Sequence, residues 1–362
     1  MTNEITQEDI KKRIEQIVLS MARDPNNTKL YHELAEYYAA ANDFDKVISV
    51  YESLLAINPQ DDTALINLGS IWFYEEEYKK ALKCYNEAMV VNPKNYLVYY
   101  NLANTYAEMK NFSKALHWYN RTLDFNSKNP EVYNAIALLY HDFDDYVEAR
   151  AYYEKALSID PENLTALVDM GNVCFKLYDY GQALEYYYRV FNLVPDNRTV
   201  ALCIANTHAL TQEEDKSFEF FEKSLSLGRG EENYKTYICY AIAKSDFGYN
   251  EEAVELYKKA MELCPNEPNA YILLGNLYSN MKDFTNAEEQ YKKALTLSKL
   301  DPSLYVLVAN TYYMREEFEK ALYSYRTAVN LTPENDEYKL VFIQLLEDYI
   351  KEARKDQLVS AK

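Results

Sequence analysis

The 362-residue sequence contains few glycines, no pairable set of cysteines and no long apolar run. Seven glycines and no low-complexity stretch leave no flexible linker, so we expect one continuous body. The five cysteines are odd in number and show no CxxC spacing, which argues against a disulfide framework. No uncharged apolar run reaches about 18 residues, so we expect no membrane-spanning helix.

Positive charge is also scarce. The chain has 38 Lys and Arg against 57 Asp and Glu, a net charge of -19 and a pI of about 4.8. This balance repels a phosphate backbone, so nucleic acid is excluded as an expected partner and neutral or basic polypeptides are favoured. The N-terminal segment carries acids where a signal peptide needs basic residues and an apolar core, which predicts a cytoplasmic protein.

Motifs that carry chemistry are missing as well. The four histidines are scattered without a second His or Cys at ligand spacing, so we expect no metal site. The sequence has no phosphate-binding glycine loop and no nucleophile elbow. We therefore expect no cofactor and no enzymatic activity.

The ten prolines follow a spacing of 34 residues. Proline survives just after a helix or at its first position, so its spacing marks the gaps between helices. Between marks there is room for two helices of about a dozen residues each. The spacing slips once, by two residues, between Pro195 and Pro265. The two sets are Pro25, Pro59, Pro93, Pro161, Pro195, Pro265 and Pro333, and, three residues further on, Pro130, Pro268 and Pro302.

Side-chain sizes form columns when repeats are counted from residues 28, 62, 96, 130, 164, 198, 234, 268 and 302. Position 8 is always Ala or Gly, position 20 is mostly Ala, and position 24 is always aromatic. Small residues permit close helix crossing, and we expect positions 8 and 20 to face each other. The rings at position 24 are expected in the core because they recur in every repeat, unlike a ligand cage.

This pattern resembles the tetratricopeptide repeat over residues 28–335. The second repeat shows it most fully, with Leu65, Leu68, Gly69, Trp72, Ala81, Tyr85, Ala88 and Pro93. The resemblance implies an all-α fold, a right-handed superhelical α-solenoid of helix-turn-helix repeats with terminal capping helices. It also implies that positions 2, 5, 6, 9, 12 and 13 of the first helices line an inner surface that contacts extended peptides.

The predicted organisation has three parts. Residues 1–27 form an N-terminal capping helix, 28–335 form nine repeats, and 336–362 form a C-terminal capping helix and tail. The repeats span 28–61, 62–95, 96–129, 130–163, 164–197, 198–233, 234–267, 268–301 and 302–335.

Asparagine recurs at position 9 of the inner surface, as Asn104, Asn172, Asn206, Asn276 and Asn310. A side-chain amide both donates and accepts hydrogen bonds, so these residues could hold a peptide backbone without reading its sequence. The alternative is that asparagine is merely tolerated at this position.

The inner surface changes character along the chain. From the sixth repeat onward it carries apolar residues that we expect to anchor a partner, whereas most inner-surface acids precede it. The alternative is that the apolar residues are buried internally. The apolar candidates are Leu202, Ile238, Ile272, Leu273, Val306, Leu307 and Leu340. The early acids are Glu33, Glu36, Glu108, Glu131, Asp142 and Asp169.

Repeat consensus is weakest over residues 210–250, beside the insertion at Gly228-Arg229-Gly230. Two glycines lower the cost of opening the chain, so we expect a hinge there, with a local loop distortion as the alternative.

The sequence predicts a non-enzymatic scaffold that binds polypeptide segments in the inner groove. Two alternatives remain open. One is a structural protein that assembles with copies of itself, and the other is an accessory subunit that positions an enzyme.

Overall fold

The computed structural model describes residues 7–360, and side chains from residue 8 to residue 351. This part of the chain is all-α and contains no β-strand. The helices are α1 Gln7–Arg23, α2 Thr28–Ala40, α3 Phe44–Ile57, α4 Asp62–Tyr74, α5 Tyr78–Val91, α6 Tyr96–Glu108, α7 Phe112–Phe125, α8 Pro130–Asp142, α9 Tyr146–Ile159, α10 Leu164–Lys176, α11 Tyr180–Leu193, α12 Arg198–Leu210, α13 Glu214–Leu227, α14 Tyr234–Asp246, α15 Asn250–Leu263, α16 Pro268–Asn280, α17 Phe284–Leu297, α18 Pro302–Met314, α19 Phe318–Leu331 and α20 Asp336–Ser360. None of these helices combines the length and the apolar character needed to cross a bilayer.

Helix boundaries follow from the capping residues and the prolines. Asp61 caps α4 by accepting a hydrogen bond from the Ala64 amide at 2.9 Å, and Asn163 caps α10 in the same way at 3.0 Å from Ala166. Pro130 occupies the first helical turn of α8, where its missing amide hydrogen costs nothing. The fold is thus a solenoid of helical hairpins, as predicted.

The turn inside each hairpin carries a left-handed residue at position 15. Eight of these residues are not glycine and have φ between 55° and 63°; the ninth is Gly248, with φ of 91°. A side chain in this region costs about 1–2 kcal/mol, because Cβ approaches the following carbonyl oxygen. The non-glycine residues are Asn42, Glu76, Lys110, Asp144, Tyr178, Gln212, Lys282 and Glu316.

The core of each hairpin is built around the ring at position 24, and all nine rings are buried. Position 8 must be small because the ring of the same repeat covers it. A Cβ added to Gly69 would lie 2.6 Å from Cε1 of Tyr85, and one added to Gly275 would lie 2.5 Å from Cε1 of Tyr291. The ring at position 24 thus contacts position 8 in these two repeats, and the expected contact between positions 8 and 20 stays a prediction.

The chain divides into two compact units, a first unit of residues 1–183 and a second unit of residues 184–362. In the first unit, α1 packs through Ile17, with Ile14 and Met21 beside it, onto the core of α2 and α3. The second unit contains one continuous hydrophobic cluster that runs from Leu202 on α12 to Leu277 on α16.

The two-residue insertion lies inside the second unit and is held by hydrogen bonds. A short 3-10 helix, Gly230–Asn233, fills it. Nδ2 of the Asn233 side chain donates to the carbonyl oxygens of Leu225 and Gly228. Arg198 reaches the Glu232 carbonyl oxygen at 2.5 Å. The continuous cluster also passes through this region, which favours a local loop distortion, and the hinge at residues 210–250 stays a prediction.

Lysine replaces the usual ring at position 11 of the seventh repeat and is accommodated by aromatic neighbours. The Lys244 ammonium lies 3.7 Å from the ring centroid of Phe218 and 4.9 Å from that of Tyr249, and it pairs with Glu252 at 2.8 Å. A cation over aromatic faces is stabilised by the ring quadrupoles. The departure from consensus therefore does not leave a hole in the core.

Candidate functional site

A groove of about 510 Å³ lies in the first unit, on the faces of four first helices. These helices are α4, α6, α8 and α10. Its walls combine aromatic, amide and carboxylate side chains, a mixture suited to polar ligands. The residues that line it are Phe73, Tyr100, Asn104, Ala107, Glu108, Tyr119, Glu131, Asn134, Ala135, Leu138, Leu139, Asp142, Asn163, Thr165 and Asp169.

The groove follows from the helical period. Positions 3, 7 and 8 turn towards the core, as Val132, Ile136 and Ala137 do on α8. The residues between them, at positions 2, 5, 6, 9 and 13, therefore share the opposite face. On α8 this face carries Glu131 and Asp142, at its two ends.

Carboxylates dominate the electrostatics of this groove. Glu108, Glu131, Asp142 and Asp169 line it. Among the side chains that the structure describes, one ammonium group pairs with them, that of Lys110, at 3.4 Å from the Asp142 carboxylate. The groove therefore presents an excess of negative charge, which attracts cationic groups.

Asp169 is the least exposed of these carboxylates. Burial raises the pKa of Asp169 above its ordinary value, while the neighbouring His141 and the Tyr153 hydroxyl oppose this shift. Desolvation thus outweighs the local stabilisation of its charged form. A cation placed beside Asp169 would supply the stabilisation that the side chain lacks.

Asn104 lies in this groove, and its amide oxygen is already engaged. The Tyr119 hydroxyl donates to Oδ1 of Asn104 at 2.7 Å, and the rings of Tyr100 and Tyr119 lie 6.0 Å apart. Burial raises the pKa of both tyrosines, so both hydroxyls stay protonated donors at neutral pH. One lone pair of the Asn104 oxygen is therefore occupied, and the Asn104 side chain also hydrogen-bonds Tyr100.

The other predicted asparagines lie elsewhere, and two of them repeat this bond. Oδ1 of Asn276 accepts from Tyr291 at 2.8 Å, and Oδ1 of Asn310 accepts from Tyr325 at 2.5 Å. Asn206 hydrogen-bonds the Cys239 thiol, and Asn172 is half-buried on α10. In Asn104, Asn276 and Asn310 one lone pair of the amide oxygen therefore binds a core tyrosine, and the role of these residues in holding a peptide backbone stays a prediction.

The apolar candidates do not form a continuous exposed stripe. Leu202 and Ile238 are each 6% exposed and belong to the core of the second unit, so the exposure expected for them is wrong. The helices bring these positions against neighbouring repeats. Leu340 is 69% exposed on α20. The remaining candidates, Ile272, Leu273, Val306 and Leu307, are half-buried.

Models of the tetratricopeptide repeat match residues 28–71, 96–129, 129–196 and 268–299 of the sequence. A further model described as TPR repeat matches residues 69–110 and 247–282. The chain belongs to the tetratricopeptide repeat family. Membership identifies it, in general terms, as a protein-interaction scaffold. No protein of curated function matches the sequence.

Solved tetratricopeptide repeat structures share this fold. A protein from Parabacteroides merdae is 20% identical, with a TM-score of 0.52, and covers 69% of this chain and 98% of its own. PilW, described as a type IV pilus biogenesis factor, is 20% identical, with a TM-score of 0.51, and covers 59% and 98%. PilF of Pseudomonas aeruginosa is 18% identical, with a TM-score of 0.50, and covers 62% and 99%.

The groove lies in the acidic half of the sequence, whereas the sequence placed most of its binding candidates in the apolar half. The acids were recognised as inner-surface residues, but Tyr100 and Asn134 were not singled out as candidates. Both occupy position 5, one of the inner-surface positions, so the signal was present. What the sequence does not reveal is how deeply each side chain is enclosed.

Proposed function

We propose that this tetratricopeptide repeat scaffold binds a basic polypeptide segment in the groove of the first unit. The observation that carries the proposal is the set of four carboxylates facing one ammonium group along the groove. A volume of about 510 Å³ accommodates a few consecutive side chains of an extended peptide. Asn104 supplies a donor for a backbone carbonyl oxygen of that peptide.

Electrostatic attraction should set both the rate and the salt dependence of binding. Exposed carboxylates such as Glu131 interact across water, so each contributes about 0.2–1 kcal/mol and is screened by salt. Affinity for a lysine- and arginine-containing peptide should therefore fall as the salt concentration rises.

Fluorescence anisotropy with a labelled basic peptide tests the proposal. Glu131→Gln should weaken binding by about two- to fivefold. Glu52→Gln is the matched control, because Glu52 is exposed on α3, outside the groove. Equal affinity of both variants and the wild type would show that the peptide does not use this groove.

A second candidate function is self-assembly through α20. Leu340, Ile343, Leu346 and Ile350 on this helix are between 39% and 69% exposed. Such apolar side chains are favourable at an interface between copies. Light scattering tests this: Ile343→Asp should lower the apparent mass at high concentration, and a wild type that stays monomeric throughout would exclude self-assembly.

The half-buried face of Ile272 and Val306 remains a proposed extension of the peptide site in the second unit. Replacing both residues by Asp should reduce capture of a partner while helicity is kept. Unchanged capture would exclude that extension. The cytoplasmic location and the lack of a nucleic-acid partner remain predictions from the sequence.

A further inference from the structure

We infer that the Asp169 end of the groove is a pocket for an arginine side chain of the bound segment. The guanidinium group would lie between the Asp169 carboxylate and the amide oxygen of Asn134. This inference rests on the proposed peptide binding and specifies that the protein recognises an arginine residue of the peptide.

The orientation of the Asn134 amide is fixed by the cap of α10. Oδ1 of Asn163 accepts from the Ala166 backbone amide at 3.0 Å, and Nδ2 of Asn163 donates to Asp160 at 3.2 Å. Asn134 lies 3.5 Å from the same Asn163 oxygen and must present Nδ2 to it. Oδ1 of Asn134 therefore turns away, and it is buried without a hydrogen-bond partner.

One further buried polar atom near Asp169, Nδ1 of His141, lacks a hydrogen-bond partner and lies 3.9 Å from Asp142. The Tyr153 side chain is fully buried, and its hydroxyl interacts with the Asp169 carboxylate. Burial, together with the charges of Asp169 and Asp142, raises the pKa of Tyr153. Buried polar atoms in folded proteins are nearly always hydrogen-bonded, so the unpartnered oxygen of Asn134 indicates a missing donor.

Among the described residues, Asp169 forms no ion pair with a lysine or an arginine, and the Lys110 ammonium pairs with Asp142 instead. The neighbouring His141 lowers the pKa of Asp169, but burial outweighs this effect. A metal ion is not the expected occupant, because no group of three His, Cys, Asp or Glu side chains between residues 8 and 351 is arranged to hold one.

A guanidinium group fits this arrangement better than an ammonium group. It carries five donors in one plane, pairs with a carboxylate through two parallel bonds and still reaches a neighbouring acceptor. It is also less strongly hydrated than an ammonium group, so it tolerates a half-buried carboxylate such as Asp169. The Tyr100 ring on the groove wall adds a surface on which a guanidinium can stack.

The test compares three short Gly-Ser peptides that carry arginine, lysine or citrulline at the same positions. Citrulline keeps the shape of arginine and removes its charge. We expect the arginine peptide to bind the wild type about tenfold more tightly than the citrulline peptide and severalfold more tightly than the lysine peptide. Asp169→Asn should abolish both preferences, and Asn134→Ala should reduce the preference over lysine.

The stability of Asp169→Asn shows whether this variant still folds. Asp169→Asn removes a partly desolvated charge, so the peptide-free variant should unfold at the same or a higher urea concentration than the wild type. Asp45→Asn, on the exposed side of α3, is the matched control and should leave all three affinities unchanged.

Two results would overturn the arginine pocket. One is equal binding of the arginine and citrulline peptides, and the other is an arginine preference that survives in Asp169→Asn. In either case, weaker binding by Glu131→Gln would leave the peptide groove itself intact. Failure of every basic peptide to bind would overturn the groove and the pocket together.

Discussion

Close contact between Gly69 and the Tyr85 ring makes Gly69→Ala a sharp test of the packing. The added Cβ would lie 2.6 Å from Cε1 and 2.9 Å from Cδ1 of a ring that is 2% exposed. Ordinary carbon contacts need about 3.5 Å, so the ring or the helix must move by about 1 Å. Such overpacking costs about 1–3 kcal/mol. The better helix propensity of alanine returns about 0.5–1 kcal/mol, so we expect a net loss of about 0.5–2 kcal/mol.

Urea unfolding followed by circular dichroism measures this loss as a lower midpoint. Gly181→Ala, near the start of α11, is the matched control, because nothing lies within 4 Å of its added Cβ. This control should be neutral or stabilising by up to about 1 kcal/mol. A Gly69→Ala variant that is as stable as the wild type would refute the argument that the ring dictates the size of position 8.

Three other perturbations test the remaining physical claims, each by urea unfolding. Tyr153→Ala should cost about 3–5 kcal/mol through lost burial and a cavity; a loss below about 1 kcal/mol would contradict its place in the core. Glu76→Gly should stabilise the fold by about 0.5–1 kcal/mol and Gly248→Ala should destabilise it by about 1–2 kcal/mol, because both residues have a left-handed backbone. Changes in the free energy of unfolding with the same sign for both variants would contradict this. Burial lowers the pKa of His208 below 6.5, so its contribution to stability is present above pH 6.5 and lost as the pH falls towards the lower pKa. Stability should therefore fall as the pH drops below about 6.5, and an equal fall in His208→Gln would exclude His208 as the cause.

Periodicity predicted the helices and the core because both depend on local spacing. Pro130 marked the start of α8, and Tyr85 was expected in the core from its column alone. The left-handed turn at position 15 was not predictable, since residues such as Glu76 and Tyr178 give no local signal of positive φ.

The site was predicted less well, because exposure depends on how neighbouring repeats pack. Leu202 and Ile238 occupy position 5, as Tyr100 and Asn134 do, yet they are buried in the second unit. The hydrogen bond from Tyr119 to Asn104 joins two helices and depends on their crossing geometry. No single-helix pattern reveals either fact.

Photo-cross-linking would show directly whether a basic peptide binds in the acidic groove of the first unit. A basic peptide carrying a benzophenone group would be irradiated with the protein, and the modified residues would be located by mass spectrometry. We expect adducts on groove-lining residues of α6 and α8, such as Tyr100 and Leu138, and their loss at high salt. Adducts confined to helices outside the groove would contradict it.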